Sequence, residues 1–133
     1  REAMDRDGFA TNAGITIDSV ADGEAVCSLM LDERHKNGRG TAQVGLIFTL
    51  ADYTFAVAAN SRQAPTVTLS SSIQFMDAPM RGRLTARAVP GGGGRRHPVY
   101  RVQVHCQDGI QAAEATIIGD VVGRPAGGEE KPE

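Results

Sequence analysis

One stretch dominates this sequence: from Gly40 to Ser61, 22 residues carry a single charge, Asp52, and no proline interrupts them. Leu, Ala, Phe and Ile predominate. On a 3.6-residue period the apolar residues fall on every face, which reads as a helix buried all round rather than one with a solvent face. The polar cluster Asn60-Ser61-Arg62-Gln63-Ala64 followed by Pro65 ends it. The apolar core of the stretch, Val44 to Ala59, is too short to span a bilayer and has Asp52 at its middle. A helix with no polar side must be wrapped by other elements, and the rest of the chain offers strands.

Ile15, Ile17 and Val20 lie in a strand-like segment that ends at the turn signal Ala21-Asp22-Gly23. Glu24 to Leu31 then alternates, with Ala25, Cys27, Leu29 and Leu31 on one face and Glu24, Val26, Ser28 and Met30 on the other, so the two segments form a hairpin. Residues 32–41 are charged and Gly-rich, an exposed loop. After the helix, Thr66 to Met76 places Val67, Leu69, Ser71, Ile73 and Phe75 against Thr66, Thr68, Ser70, Ser72 and Gln74. Arg83 to Val89, Val99 to Cys106 and Ala112 to Val122 supply three more strands, separated by a turn at 77–82, a loop at Pro90–Gly94 and a turn at Gln107-Asp108-Gly109. The order β-β-α-β-β-β-β, with one long helix held in a curled antiparallel sheet of five to six strands, is an α+β hotdog arrangement. Residues 1–12 are a lead-in, 13–122 the domain, and 123–133 a Gly-, Pro- and Glu-rich tail expected to be disordered.

A length of 133 residues makes one domain. With 41% hydrophobic and 23% charged residues the chain is not a disordered one. A net charge of −2, no Trp and only six aromatic residues argue against nucleic acid and an anionic membrane as partners. Cys27 and Cys106 each sit in an alternating run and read as small buried hydrophobes, not as a disulfide framework. The opening Arg-Glu-Ala-Met-Asp-Arg-Asp predicts no signal peptide, and a cytoplasmic protein is expected.

Asp52 is the sharpest chemical feature. A carboxylate inside an apolar helix is unfavourable unless it is paired or used, so it is either a structural acid or a general base or nucleophile with a raised pKa. The start of the same helix, Thr41-Ala42-Gln43-Val44-Gly45, offers free N–H groups that suit a carbonyl oxygen becoming an oxyanion. Val44 and Asp52 are eight residues apart, roughly 12 Å along a helix. Both must lie within about 3 Å of the reacting atoms to act on one carbonyl. One helix cannot supply both, so if both are catalytic they come from different subunits. The Gly91–Gly94 run before Arg95 and Arg96 lacks the Gly-Lys-Ser/Thr ending of a phosphate loop, although its two arginines suit a ligand phosphate. His35, His97 and His105 show no ligand spacing with cysteine, and no metal site is expected.

The segment His35-Lys-Asn37-Gly-Arg-Gly-Thr41-Ala-Gln43-Val44-Gly45-Leu-Ile-Phe-Thr-Leu50-Ala51-Asp52 resembles the helix-start motif of hotdog-fold thioesterases. The nearest type is the phenylacetate-degradation (PaaI-like) group of the 4-hydroxybenzoyl-CoA thioesterase superfamily. Val67 to Pro79 followed by Gly82 fits that family's strand after the helix, and the resemblance covers residues 12–122. It implies an acyl-CoA thioesterase acting on an aromatic or medium-chain acyl group. Asp52 is implied as base or nucleophile, and the Val44 N–H as donor to the thioester oxygen. Asn37 is implied as a loop residue shaping the site, and Thr68 as a hydroxyl that positions water, with Gln43 beside them. Gly45, Arg95 and Arg96 are implied on the CoA side. No cofactor beyond the CoA of the substrate is implied, and the assembly is a homo-oligomer, a dimer or tetramer.

The chain departs from the pattern at Gln43-Val44-Gly45, which replaces His-Gly-Gly. Val44 keeps its N–H, but its side chain crowds the place a glycine leaves open. Gln43 forms hydrogen bonds without carrying a proton at neutral pH. A catalytically weak or inactive acyl-CoA-binding hotdog protein is therefore the first rival. A hotdog dehydratase or hydratase, which would need a histidine near the helix start, is the second, and a purely structural oligomer is the third.

Overall fold

A computed structural model of the chain describes residues 7–61 and 65–123. The expected tail and the residues Arg62-Gln63-Ala64 of the helix stop signal lie outside the described residues, apart from Gly123. A short helix α1 (Gly8–Asn12) leads into strands β1 (Thr16–Ala21) and β2 (Glu24–Met30), joined by a turn in which Asp22 and Gly23 have φ of 56° and 81°. Two successive left-handed residues twist with the strands they join, the reason Asp-Gly serves as a hairpin turn. A 3-10 turn (Glu33–His35) and a loop precede the long helix α2 (Val44–Asn60). Strands β3 (Thr66–Phe75), β4 (Arg83–Gly93), β5 (Pro98–His105) and β6 (Gln111–Val121) follow. All six strands pair antiparallel in the order β1-β2-β4-β5-β6-β3, so β1 and β3 are the edges.

Helix α2 lies on the inner face of this sheet. Ile47, Leu50, Ala51, Phe55 and Ala58 are buried against Leu29, Leu84, Val102, Val104 and Ile117. Burying each of the larger aliphatic or aromatic side chains stabilises the fold by about 1.5–3 kcal/mol. Phe55 meets Tyr100 edge-on, with ring centroids 5.5 Å apart. Gly119 makes room for that ring: a Cβ there would lie 3.1 Å from Phe55 Cζ and 2.6 Å from Thr66 Cγ2. Asn60 fixes the far end of the helix. Its amide nitrogen donates to Ala56 O and Thr66 O, and its Oδ1 accepts from Thr66 N at 2.9 Å. The first residue of β3 is thereby tied to the last turn of α2.

Four expectations are corrected. The helix begins at Val44, and residues 40–43 belong to the loop before it. It is not wrapped on all sides: Gly45 is exposed, and Phe48, Thr49, Asp52 and Ala56 are half-buried, one stripe that recurs every three to four residues. Residues Pro90–Gly93 are not a loop but the continuation of β4. The β2 ladder ends near Ala88, so Pro90, opposite Tyr100, has a neighbour on one side only and its missing N–H breaks no second ladder. Within the exposed loop 32–41, His35 is 4% exposed.

The alternation expected for β3 also breaks. Thr68 pairs with Gly119 and Ser70 with Ile118, so Leu69 is an extra residue, a bulge. Beyond it the phase inverts. Thr66, Thr68, Ser71, Ile73 and Phe75 oppose the inward residues of β6, while Val67, Ser70, Ser72 and Gln74 oppose outward ones. The row Val67-Leu69-Ser71-Ile73-Phe75 is therefore not a single face.

Candidate active site

Thr68, the last residue before the bulge, shares the inward face with Thr66 and meets the helix. Thr68 Oγ1 donates to Asp52 Oδ1 at 2.6 Å, at the short end of the range for a hydroxyl donor. Asp52 is half-buried on the open stripe of α2, not sealed in the core. A carboxylate so placed has one oxygen engaged by a neutral donor and a side open to the strand edge.

The other half of the expected site lies two turns up the helix. Gln43 is the residue before the first turn, with φ −64° and ψ 137°, and its side chain makes no capping bond. The first amides of a helix have no acceptor within it, so the Val44 and Gly45 N–H groups stand at the positive end of α2. The loop that delivers them is tightly built. Gln43 N donates to His35 O, Asn37 N donates to Thr41 O, and Lys36 bridges Ala42. Asn37 Oδ1 accepts from Arg39 N and Thr41 N at 2.9 and 3.1 Å, and its Nδ2 donates to Thr41 Oγ1. Asn37 thus holds the loop that leads into α2. On the other side, Ala42 N donates to Pro79 O and anchors the loop to the β3–β4 connection.

A cleft of about 400 Å³ opens at this end, lined by Phe9, Asn12, Ala13, Arg34, His35, Gln43, Gly45, Leu46 and Thr49. Its walls are largely apolar. Asp52 is not among them; it follows Thr49 by less than one helical turn. A second cleft of about 480 Å³ lies between the β3–β4 and β5–β6 connections and contains none of the expected residues. Cys106 lines it, and burial, followed by the nearby charges of Asp77 and Asp108, pushes its thiol up and keeps it protonated at neutral pH.

Arg95 and Arg96 are exposed at the tip of the β4–β5 hairpin, where Arg96 Nε is 3.8 Å from Asp120 Oδ1. Pro98 at that tip approaches Gly119 beside Thr66, which Asn60 ties to the C-terminal end of α2. Within one chain the two arginines are therefore at the opposite end of the helix from Gln43, about 24 Å along its axis. One chain brings Asp52 to Thr68 and Gln43 to Gly45 but leaves Arg95 and Arg96 apart from both. His35, which a hydratase would need, has both ring nitrogens occupied by backbone groups, Asp32 N and Ala13 O. Among the described residues, no three His, Cys, Asp or Glu side chains are grouped to hold a metal, and no helix is long and apolar enough to cross a membrane.

Sequence reasoning missed the Phe9 wall of the cleft and the burial of His35. Helix α1 is too short to show a period, and nothing local marks His35 as its partner.

Residues 40–113 match the model of the thioesterase superfamily. The acyl-coenzyme A thioesterase PaaI of Escherichia coli is 32% identical over 101 residues, 75% of this chain and 72% of that protein. Its solved structure, from the phenylacetic acid degradation operon, superposes with a TM-score of 0.89 over 94% of this chain and 91% of that one, at 28% identity. A Deinococcus radiodurans relative is 37% identical over 97 residues, 72% of this chain but only 66% of its own length. A hypothetical thioesterase of Streptococcus pneumoniae, solved with coenzyme A, superposes with a TM-score of 0.82 over 88% of this chain and 94% of that one, at 28% identity. With its long helix in a six-stranded antiparallel sheet and its Leu50-Ala51-Asp52 segment, this chain belongs to the thioesterase superfamily, as a hotdog protein of PaaI-like type.

Proposed function

We propose that this chain is an acyl-CoA thioesterase whose active site forms between two copies. The observation that carries the reading is the Asp52–Thr68 pair, held on the open stripe of a helix whose first amides are unused. In the proposed reaction the thioester oxygen accepts from the Val44 N–H of one protomer. Asp52 of the other takes a proton from a water positioned by Thr68 as that water attacks the carbonyl carbon. The oxyanion formed is held by the same N–H until the C–S bond breaks. The leaving sulfur recovers the proton from Asp52, so thioester and water become a carboxylic acid and CoA thiol. These steps draw on an amide, a carboxylate and water alone.

Three features support the oligomer. The 12 Å or so between Val44 and Asp52 forbids one helix from serving both roles. Strand β3 is a ten-residue sheet edge on which Val67, Leu69 and Phe75 are 50%, 55% and 41% exposed. Such an edge invites pairing with its own copy. A two-fold pairing there would also carry the partner's Arg95 and Arg96 toward this chain's helix start, where CoA phosphates would lie. A dimer is the least assembly required, and a tetramer of two such dimers satisfies it equally.

The apolar cleft beneath Phe9 has room for an aryl or medium-chain acyl group. Likeness to the E. coli protein favours an aromatic one. Neither buried cysteine is in a disulfide, which fits a reducing, cytoplasmic setting. The test is release of free thiol from a panel of aryl- and alkyl-CoA esters. Turnover of at least one class is expected. Binding without turnover would favour the second reading, an acyl-CoA-binding protein, for which the half-exposed Val44 side chain at the helix start is the specific support.

Thr68→Val keeps the shape and removes the hydroxyl. A bond to a charged group contributes about 1.5–3 kcal/mol, so kcat should fall about tenfold or more with KM little changed. An unaltered kcat would remove Thr68 from the chemistry.

A further inference from the structure

The buried His35 ring lies outside the proposed reaction and is held on both of its nitrogens, and its bonds converge on the helix start. Its ring is 3% exposed. Asp32 N–H donates to Nδ1 at 2.9 Å, and Nε2 lies 2.6 Å from Ala13 O. An N–H can only donate and a carbonyl can only accept, so in these two bonds Nδ1 is the acceptor and Nε2 the donor, with Asp32 Oδ1 also 3.3 Å from Nδ1. The first bond locks the 3-10 turn on which His35 sits; the second locks that turn to the end of α1. Arg34 repeats the second link by donating to Asn12 O. With its ring immobilised from two sides, the His35 carbonyl accepts from Gln43 N at 2.9 Å. Gln43 is the residue whose carbonyl begins the α2 ladder, accepting from Leu46 N and Ile47 N.

We propose that His35 is a positioning residue. By bonding α1 through its ring and Gln43 through its carbonyl, it sets the direction of the Val44 amide and so the strength of oxyanion binding, without touching the substrate's reacting atoms. The assignment rests on the thioesterase reading, but its structural half is testable without turnover. It also accounts for an imidazole buried among backbone groups in an otherwise charged loop. An apolar residue of similar size would fill the space and leave Asp32 N and Ala13 O without these partners.

The experiment compares wild type, His35→Leu and His35→Gln in two readouts. The first is amide hydrogen exchange resolved at Gln43 and at core positions Val102 and Val104. The second is kcat and KM on the best acyl-CoA ester. The glutamine side chain of H35Q is long enough to donate to Ala13 O while losing the Nδ1 acceptor. In H35L, exchange at Gln43 should rise at least tenfold with the core unchanged, and kcat should fall at least tenfold with KM within about twofold. H35Q should recover a substantial part of both. Wild-type-like exchange at Gln43 in H35L would overturn the assignment. So would equal loss of protection in core and loop without recovery in H35Q, which marks a folding role alone. If wild type hydrolyses no ester, the thioesterase reading fails, and exchange at Gln43 still decides whether His35 holds the helix start.

Discussion

Replacing Asp52 with Asn is expected to lower kcat by about 10²- to 10⁴-fold, the range a positioned general base contributes. The substitution keeps the shape of the side chain and an oxygen for Thr68 Oγ1 to donate to, so the fold should persist. Asp52 is half-buried and outside the core, and the change should move stability by about 0.5 kcal/mol or less, as for other such positions. Kinetics and a thermal melt on the same preparation separate the two effects. Single turnover of wild type in ¹⁸O-labelled water tests for a nucleophile: label on the Asp52 side chain would require an acyl–aspartyl anhydride that water opens at the aspartyl carbonyl, whereas a general base leaves Asp52 unlabelled and puts the label in the product acid. An Asp52→Asn protein that hydrolyses acyl-CoA at near the wild-type rate would remove the central residue of the proposed reaction.

The second large effect is expected at Val44→Pro. Proline has no N–H, so the proposed oxyanion donor disappears, and loss of one such donor lowers kcat by about 10²- to 10³-fold. The position is well suited to the substitution. Val44 is the first residue of α2, where proline is favoured, and Gln43 before it already has the extended ψ of 137° that a following proline demands. The thermal midpoint should therefore stay near that of wild type while activity collapses. Activity within a few-fold of wild type would mean that the oxygen is held elsewhere.

The sequence exposes local features better than it exposes the surfaces. A lone acid in an apolar run and a helix start of small and polar residues are local features, and the structure puts Thr68 on Asp52. The hotdog layout is legible because one long apolar helix is set among segments that all alternate as strands, even though the helix keeps one stripe uncovered by the sheet. The reading of β3 fails at a single residue. Period-two alternation assumes an unbroken strand, and the extra residue Leu69 changes neither composition nor spacing while inverting every face beyond it. Pro90 and the glycines after it look like a loop unless one knows that β2 has already ended beside them. His35 looks exposed because its neighbours in the sequence are charged, whereas its burial depends on the end of α1, 22 residues away at Ala13. The open stripe of α2 is illegible for a related reason: Gly45, Phe48 and Ala56 are apolar or small on a face that one chain leaves uncovered. A half-exposed stripe of apolar and small residues carries the same signature as a core.

The shared site is tested most directly by mixing. Asp52→Asn and Val44→Pro proteins should each be nearly inactive alone. Unfolded together in equal amounts and refolded, they form mixed dimers that retain one site with an intact Val44 amide from one protomer and an intact Asp52 from the other. Random pairing through a two-fold interface makes about half the dimers mixed, so activity should return to about a quarter of wild type. A mixture that stays as inactive as its components would contradict the account, because amide and carboxylate would then have to come from the same chain.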